Sequence, residues 1–239
     1  MKSLKTTLNN NLIILAGGFG TRLQTVSQGI PKALMPIGDS TFLDLLIEKL
    51  FFSEVSHIYL SLYYKSELFK NYIDKSKFKM KLSYIVEPEP LGTGGAINYV
   101  LNNSNISSQF FVINGDSFSD INLNQMAEEF NNSQYKAMIG ISEVKDAERY
   151  GTVKVHDGNV VEFNEKGISG PGWINNGYYI LKSEIFEEYN GSFSLEKNLF
   201  PHLTHNYELG AFKVENDIFI DMGIPEDYKK LCNMYKVTK

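Results

Sequence analysis

A run of five residues without a polar side chain, Leu12–Ala16, stops at three glycines within four positions, Gly17, Gly18 and Gly20. A run that short and that apolar reads as a strand buried on both faces. Such strands belong to sheets covered by helices on either side, so this segment already points to an α/β architecture. The chain downstream repeats the alternation. Ser40 or Thr41 is placed to cap a helix carrying Phe42, Leu45, Leu46 and Leu50. His57–Leu62 follows as a strand, Ser66 as the cap of a short helix through Tyr72, and Leu82–Val86 as a strand. Thr93–Leu101 is a helix with Ala96, Ile97, Val100 and Leu101 on its apolar side, Gln109–Ile113 a strand and Leu123–Phe130 a helix. Helical crossovers of this length imply a mostly parallel central sheet with helices on both faces.

The second half changes texture. Thr152–Val155 and Val160–Phe163 flank Asp157-Gly158, a tight-hairpin signal. Ile174–Leu181 reads as a strand, Ile185–Tyr189 and Leu195–His205 as helices, Leu209–Val214 and Ile218–Ile220 as strands, and Pro225 opens a last helix. No repeat or low-complexity linker divides the 239 residues, so one domain is expected, with a more antiparallel second half.

Hydrophobic residues make up 43% of the chain and charged residues 21%, a globular balance. A chain of this length buries roughly 70–75% of its unfolded surface and needs neither disulfide nor structural metal to fold. The single cysteine, Cys232, excludes an intramolecular disulfide and a cysteine zinc cluster, and its place in the last helix gives it a packing role. A net charge of −5 argues against a broadly basic nucleic-acid-binding surface. The tail Met1–Asn11 is largely polar, and the apolar run behind it is too short for a signal-peptide core or a membrane span. A cytoplasmic protein acting on soluble ligands, with no membrane association, is expected.

The glycine cluster lies within Leu15-Ala16-Gly17-Gly18-Phe19-Gly20-Thr21-Arg22-Leu23, at the carboxyl end of a strand, where open α/β sheets bind ligands. Its backbone N–H groups can approach a polyphosphate closely, and Arg22 adds an always-charged fork for phosphate oxygens. It is not a Walker A loop, because no Gly-Lys-Ser/Thr ends it, and the dinucleotide fingerprint needs glycine where Leu23 stands. A plain tight turn is the alternative. Pro31-Lys32 follows, and Lys32 gains meaning as a second cation over the same phosphates. Asn114-Gly115-Asp116 ends the strand Gln109–Ile113, and Asp221 ends Ile218–Ile220. Two carboxylates at strand ends can clamp hydrated Mg²⁺, although Gly115-Asp116 also suits an ordinary turn and Asp221-Met222-Gly223 a helix lead-in.

Glu87-Pro88-Glu89-Pro90-Leu91-Gly92-Thr93-Gly94-Gly95 leaves another strand. Its prolines stiffen it. Its glycines can press flat on a ligand, or the segment is a rigid loop with Thr93 capping the next helix. Glu165-Lys166 reads on spacing alone as an exposed ion pair. Lys75, Lys77, Lys79 and Lys81 read as a solvated edge, and His57, His156, His202 and His205 have no metal-binding spacing.

In this order, Gly17–Leu23, Pro31-Lys32, Gly92-Thr93-Gly94-Gly95, Asn114-Gly115-Asp116, Glu165-Lys166 and Asp221 resemble the sugar-1-phosphate nucleotidyltransferases, over Leu12 to Tyr235. The resemblance implies a Rossmann-like nucleotide-diphospho-sugar transferase fold. It implies that an NTP and a sugar 1-phosphate give an NDP-sugar and pyrophosphate, with Mg²⁺. The strings Glu89–Ile97, Arg149–Val153, Ile174–Tyr179 and Phe219–Tyr228 look most like the bacterial D-glycero-D-manno-heptose 1-phosphate guanylyltransferases. That implies GTP and a sugar 1-phosphate as partners and a GDP-sugar for capsule or lipopolysaccharide synthesis. It leaves a homodimer open. The left-handed β-helix of many mannose 1-phosphate guanylyltransferases is not expected here.

By the same resemblance, Leu15, Ala16, Gly17, Gly18, Gly20 and Thr21 cradle the nucleotide, with Thr93, Asn114 and Gly115 beside them. Arg22 and Lys32 face the β- and γ-phosphates. Glu87 reads the base edge, with Glu89 as the alternative, and Gly92 lies near the base. Asp116 and Asp221 hold Mg²⁺, and Lys166 approaches the α-phosphate or sugar phosphate. Gly151, Glu165, Asn175 and Asn176 form the sugar pocket. The pair Asn175-Asn176 departs from the family, which often has a smaller residue second. Arg22, Lys32, Asp116 and Lys166 are expected to carry catalysis. Other readings are mannose 1-phosphate with GTP, N-acetylmuramate 1-phosphate with UTP, and a non-catalytic nucleotide-sugar-binding paralogue. The intact set of cations and carboxylates argues against the last.

Overall fold

The computed structural model describes residues 10–19, 29–50, 53, 55–164, 169–215 and 218–236. Strand β1 (Asn10–Leu15) is followed by a small hairpin, β2 (Pro36–Ile37) and β3 (Ser40–Thr41), then α1 (Phe42–Leu50), β4 (Val55–Leu62), α2 (Ser66–Lys75) and β5 (Leu82–Val86). Next come α3 (Gly92–Asn102), β6 (Gln109–Asn114), β7 (Ser117–Phe118), α4 (Leu123–Asn131) and β8 (Ala137–Val144). The rest is β9 (Thr152–His156), β10 (Asn159–Asn164), β11 (Gly172–Lys182), α5 (Phe200–His205), β12 (Leu209–Val214), β13 (Ile220–Asp221) and α6 (Pro225–Lys236).

Among the described residues nine strands form one sheet in the order β5-β4-β1-β6-β11-β8-β12-β10-β9. The first four are mutually parallel. β11 then enters antiparallel between β6 and β8, β12 runs parallel to β8, and the β9–β10 hairpin closes the far end. The sheet is therefore mixed, with its continuous parallel block in the first half. Along β1, Leu12 and Ile14 face one side and Ile13 the other, all fully buried. On the first side α1, α2 and α4 insert Leu43, Ile47, Phe69, Ile73, Met126 and Phe130. On the other, α3 and α5 insert Ile97, Val100, Phe200 and Leu203. Each such side chain contributes about 1.5–3 kcal/mol by leaving water, which is why both faces of these strands are apolar.

Local signals explain most boundaries. Thr41 caps α1: its hydroxyl accepts from Asp44 N, while Asp44 accepts from Thr41 N and Oγ, a reciprocal box. The Asp157-Gly158 turn has positive φ at both residues, 48° and 79°, as a tight hairpin requires. Other expectations need correction. Ser66 is the first helical residue of α2, and the cap position is Lys65, in a left-handed conformation with φ 53°. The segment expected as a helix over Ile185–Tyr189 is a 3-10 turn, Ser183–Phe186, and Leu195–His205 splits into a wide π-type turn and the short α5. The alternating lysines lie in solvent, but at the end of α2 and in a 3-10 turn rather than along a strand edge.

Strand β8 has no counterpart in the sequence reading. Gly140 and Ser142 break its apolar run, yet it is buried between β11 and β12. Its partner β11 bulges there: Asn175 pairs with Ile141 and Tyr179 with Ile139, so three residues oppose Gly140 alone. Gly177 turns the bulge with φ 83°. Asn176 lies over Gly140, where an added Cβ would stand 2.5 Å from Asn176 Oδ1.

Candidate active site

The carboxyl ends of β1 and β6 lie side by side, Leu15 opposite Asn114, and Gly115 N donates to Leu15 O at 2.9 Å. The loops leaving them frame a cavity of about 400 Å³. Leu15, Ala16, Gly17, Gly18 and Phe19 line it from one strand, and Asn114, Gly115 and Asp116 from the other. Lys32, Tyr63, Glu87, Gly92 and Thr93 complete the walls. The sequence-derived residues Gly20, Thr21, Arg22, Glu165 and Lys166 lie outside the described residues.

One end of the cavity carries charge. Lys32 Nζ donates to Asp116 Oδ2 at 2.7 Å. The β7–β13 ladder pairs Ser117 with Asp221, and Met222 N donates to Asp116 O at 2.8 Å, which brings the two predicted carboxylates to one place. Asp221 Oδ1 and Lys32 Nζ both stand within 3.0 Å of where a Gly223 Cβ would be. Asp227, in the first turn of α6, accepts from Asp221 N at 3.0 Å and fixes that loop. An all-oxygen donor pair that already attracts an ammonium suits a hard divalent cation. Among the described residues no third His, Cys, Asp or Glu joins them, so phosphate and water oxygens would complete such a shell.

Glu87 follows β5, separated from β6 by β4 and β1 in the sheet order, and puts a buried carboxylate in the same cavity wall. Glu87 is 7% exposed; Ser61 Oγ donates to its Oε1 at 2.9 Å and Leu91 N to its Oε2 at 3.3 Å. Burial raises its pKa above the ordinary carboxylate value, and these two bonds only partly oppose the shift. Glu89 is exposed.

The start of α3 differs from the sequence reading. Thr93 lies inside the helix, whose cap position is Leu91. Thr93 Oγ1 donates to Glu196 Oε2 at 2.9 Å and accepts from Leu195 N at 2.9 Å. Gly94 and Gly95 N both donate to Phe193 O. A Cβ on Gly95 would lie 2.5 Å from Gly191 O, and one on Gly94 would enter the Phe193 ring. Gly94 makes room for the Phe193 ring and Gly95 for the backbone at Gly191, so these two glycines serve a strap of the chain itself.

The structure separates the two asparagines expected in the sugar pocket. Asn175 is half-buried; its Nδ2 donates to Tyr179 Oη at 3.0 Å, and Asn114 Nδ2 donates to the same oxygen at 3.4 Å. Burial, with Glu196 and Asp116 nearby, pushes the Tyr179 phenol far above its usual range, so it stays neutral. Asn176, expected in the sugar pocket, is 0% exposed: its Nδ2 donates to Ser119 Oγ and Ser142 Oγ, and its Oδ1 accepts from Tyr178 N. The bulge turns it into the core, where it cannot touch a ligand. Gly151 follows Tyr150, whose ring packs edge-on to Phe219 and whose phenol faces Asp227 and Asp221.

Sequence reasoning missed Ser61, Tyr63, Phe193 and Glu196. Ser61 is the penultimate residue of an ordinary-looking strand, β4, and Tyr63 directly follows that strand. Glu196 had a usable signal in Ser194, a capping residue two positions before it, whose Oγ caps the turn by accepting from Lys197 N.

A cavity at the carboxyl ends of parallel strands, with a cation–carboxylate pair and a buried carboxylate in its walls, suits a transferase that binds a nucleotide. The chain belongs to the nucleotidyl transferase family, whose model matches residues 11–236. It is 38% identical over 221 residues to D-glycero-alpha-D-manno-heptose 1-phosphate guanylyltransferase of Campylobacter jejuni, covering 90% of this chain and 96% of that protein. It is 34% identical over 220 residues to the protein of the same name from Aneurinibacillus thermoaerophilus, covering 91% and 95%. The structure of HddC from Yersinia pseudotuberculosis complexed with GMP-PN matches with a TM-score of 0.82 and 38% identity, over 95% of this chain and 99% of that one. Among the described residues no helix is long and apolar enough to cross a membrane.

Proposed function

We propose that this chain transfers a guanylyl group from GTP to D-glycero-D-manno-heptose 1-phosphate in the cytoplasm, releasing pyrophosphate. The observation that carries the proposal is the buried Glu87 carboxylate on the wall of a cavity that the Lys32–Asp116 pair also lines. Guanine presents N1–H and N2–H₂ side by side, two donors that suit one ionised carboxylate. Adenine and cytosine set an acceptor at the matching ring nitrogen, and uracil offers one N–H between two carbonyls. The names of the similar proteins support both base and sugar.

The sugar phosphate is already anionic at neutral pH, so the reaction needs no general base. Its oxygen forms a bond to the α-phosphorus of GTP, the α–β bridging bond breaks, and pyrophosphate leaves with that electron pair. The obstacle is an anion attacking a polyanion, and positioning with charge neutralisation meets it. Lys32 and Arg22 neutralise the β- and γ-phosphates, and Lys166 orients the α- or sugar phosphate. Asp116 and Asp221 would hold Mg²⁺, which supplies further charge neutralisation at the phosphate oxygens. Asn175 and Gly151, with Glu165, hold the sugar.

Pyrophosphate release over a grid of GTP, ATP, UTP and CTP against heptose, mannose and N-acetylmuramate 1-phosphates tests the proposal. The highest kcat/KM is expected for GTP with the heptose phosphate. Preference for UTP, or for another sugar, would replace the corresponding half of the assignment.

A further inference from the structure

Glu87 can read an edge, but a base also has two faces, and edge contacts alone leave those faces in water. Beside Glu87 stands an aromatic cluster without an assigned role. Phe19 follows the first two glycines of the loop and is 49% exposed, unusual for a phenylalanine. Its ring meets Tyr63 edge-on, centroids 5.8 Å apart at 75°, and Tyr64 at 5.4 Å and 44°. Phe19 and Tyr63 both line the cavity. Gly17 places Tyr63 beside the carboxylate: a Cβ there would stand 3.0 Å from Glu87 Oε1 and 3.3 Å from Tyr63 Cβ. The tyrosine and the carboxylate thus flank the same glycine on the cavity wall.

We infer that Tyr63 and Phe19 form an aromatic wall on which the nucleotide's base stacks, so that affinity for the base and choice among bases reside on different side chains. The inference rests on the cavity taking a nucleoside triphosphate with its base at Glu87. Stacking accepts any base, because every base has a π face, whereas hydrogen bonds to a carboxylate discriminate by edge. The wall therefore raises affinity without selecting, and Glu87 selects.

Calorimetric titration of the full-length protein with GTP, ITP and ribose 5-triphosphate separates the two roles. ITP lacks the 2-amino group, and ribose 5-triphosphate lacks the base. Tyr63→Leu and Phe19→Leu are expected to weaken GTP and ITP by the same factor, about tenfold, and to leave ribose 5-triphosphate unchanged. Tyr63→Phe keeps the ring and should recover the affinity that Tyr63→Leu loses. Equal weakening of ribose 5-triphosphate would make the rings mere supports of the loop and overturn the inference, as would unchanged binding of GTP. If the wild-type protein prefers a base other than guanine, the guanine assignment fails. The wall still stands in that case if Tyr63→Leu weakens the preferred nucleotide and spares ribose 5-triphosphate.

Discussion

Lys32 and Asp116, 84 residues apart in the chain, meet at 2.7 Å at the charged end of the cavity. Both are partly solvent-exposed, at 19% and 38% of the side chain, so their attraction adds little to folding, about 1 kcal/mol or less. The pairing matters for what it concentrates: a cation and a carboxylate where a metal–triphosphate complex would need one of each.

Asp116→Asn should therefore separate folding from function. Turnover is expected to fall by roughly 10² or more, while stability in urea changes by no more than about 1 kcal/mol. Pyrophosphate release at saturating Mg²⁺ and a denaturation curve check the two halves. Near-normal turnover would remove Asp116 from the metal-binding role.

Glu87→Gln should cut the preference for GTP over ATP by about 10²-fold, since bonds to a charged acceptor are worth roughly 1.5–3 kcal/mol each. The pH dependence has a defined sign. In the wild type, GTP affinity should fall as pH drops through a pKa lying above the ordinary 4.5, because the neutral carboxyl cannot accept both donors. The glutamine variant should lack that step. Stability follows the opposite course: a carboxyl whose folded pKa is raised favours folding least when ionised. Glu87→Gln should therefore melt higher than wild type near pH 8, and the difference should vanish as pH falls through the raised value and below 4.5. A flat difference across pH would show that the residue is not titrating in the folded protein.

Gly140→Ala should destabilise the protein by about 1–3 kcal/mol, because its Cβ would stand 2.5 Å from Asn176 Oδ1 and 2.8 Å from Ile121 Cδ1. Adding Asn176→Ala should recover part of that loss, although Ser142 and Ser119 then lose a partner. Denaturation of the two single variants and the double variant measures the coupling. Strict additivity would mean that Asn176 does not fill the space Gly140 leaves.

Gly95→Ala should loosen the wall of the cavity rather than its charged end. Its Cβ would meet the backbone oxygen of Gly191 at 2.5 Å, so the strap must move. A raised KM for GTP, faster protease cleavage near residue 191 and little change in the KM for the sugar phosphate are expected. Unchanged cleavage would show that the strap adapts without detaching.

The parallel half of the sheet was legible because its strands are short apolar runs and its helices carry spaced apolar residues, as in β1 and α1. The charged end was legible too, since Lys32, Asp116 and Asp221 sit at element ends, where side chains converge. β8 was not legible, because the two residues that break its pattern, Gly140 and Ser142, answer a side chain from another strand. Asn176 misled for the same reason: a bulge, invisible in periodicity, turned it inward. Gly94 and Gly95 of α3 looked like ligand contacts because spacing cannot tell a ligand's approach from that of the chain itself.

The strap gives the cavity a history in time. Thr93, Gly94 and Gly95 are braced by Phe193, Leu195 and Glu196, about a hundred residues further on. At about 5–20 residues per second, a ribosome needs roughly 5–20 s to supply them. Until then a nascent chain carries the glycine loop and the start of α3 without the segment that holds that helix in place. The pocket is finished only when most of the protein has been made, so a truncated translation product with the entire first half would still lack a completed nucleotide site.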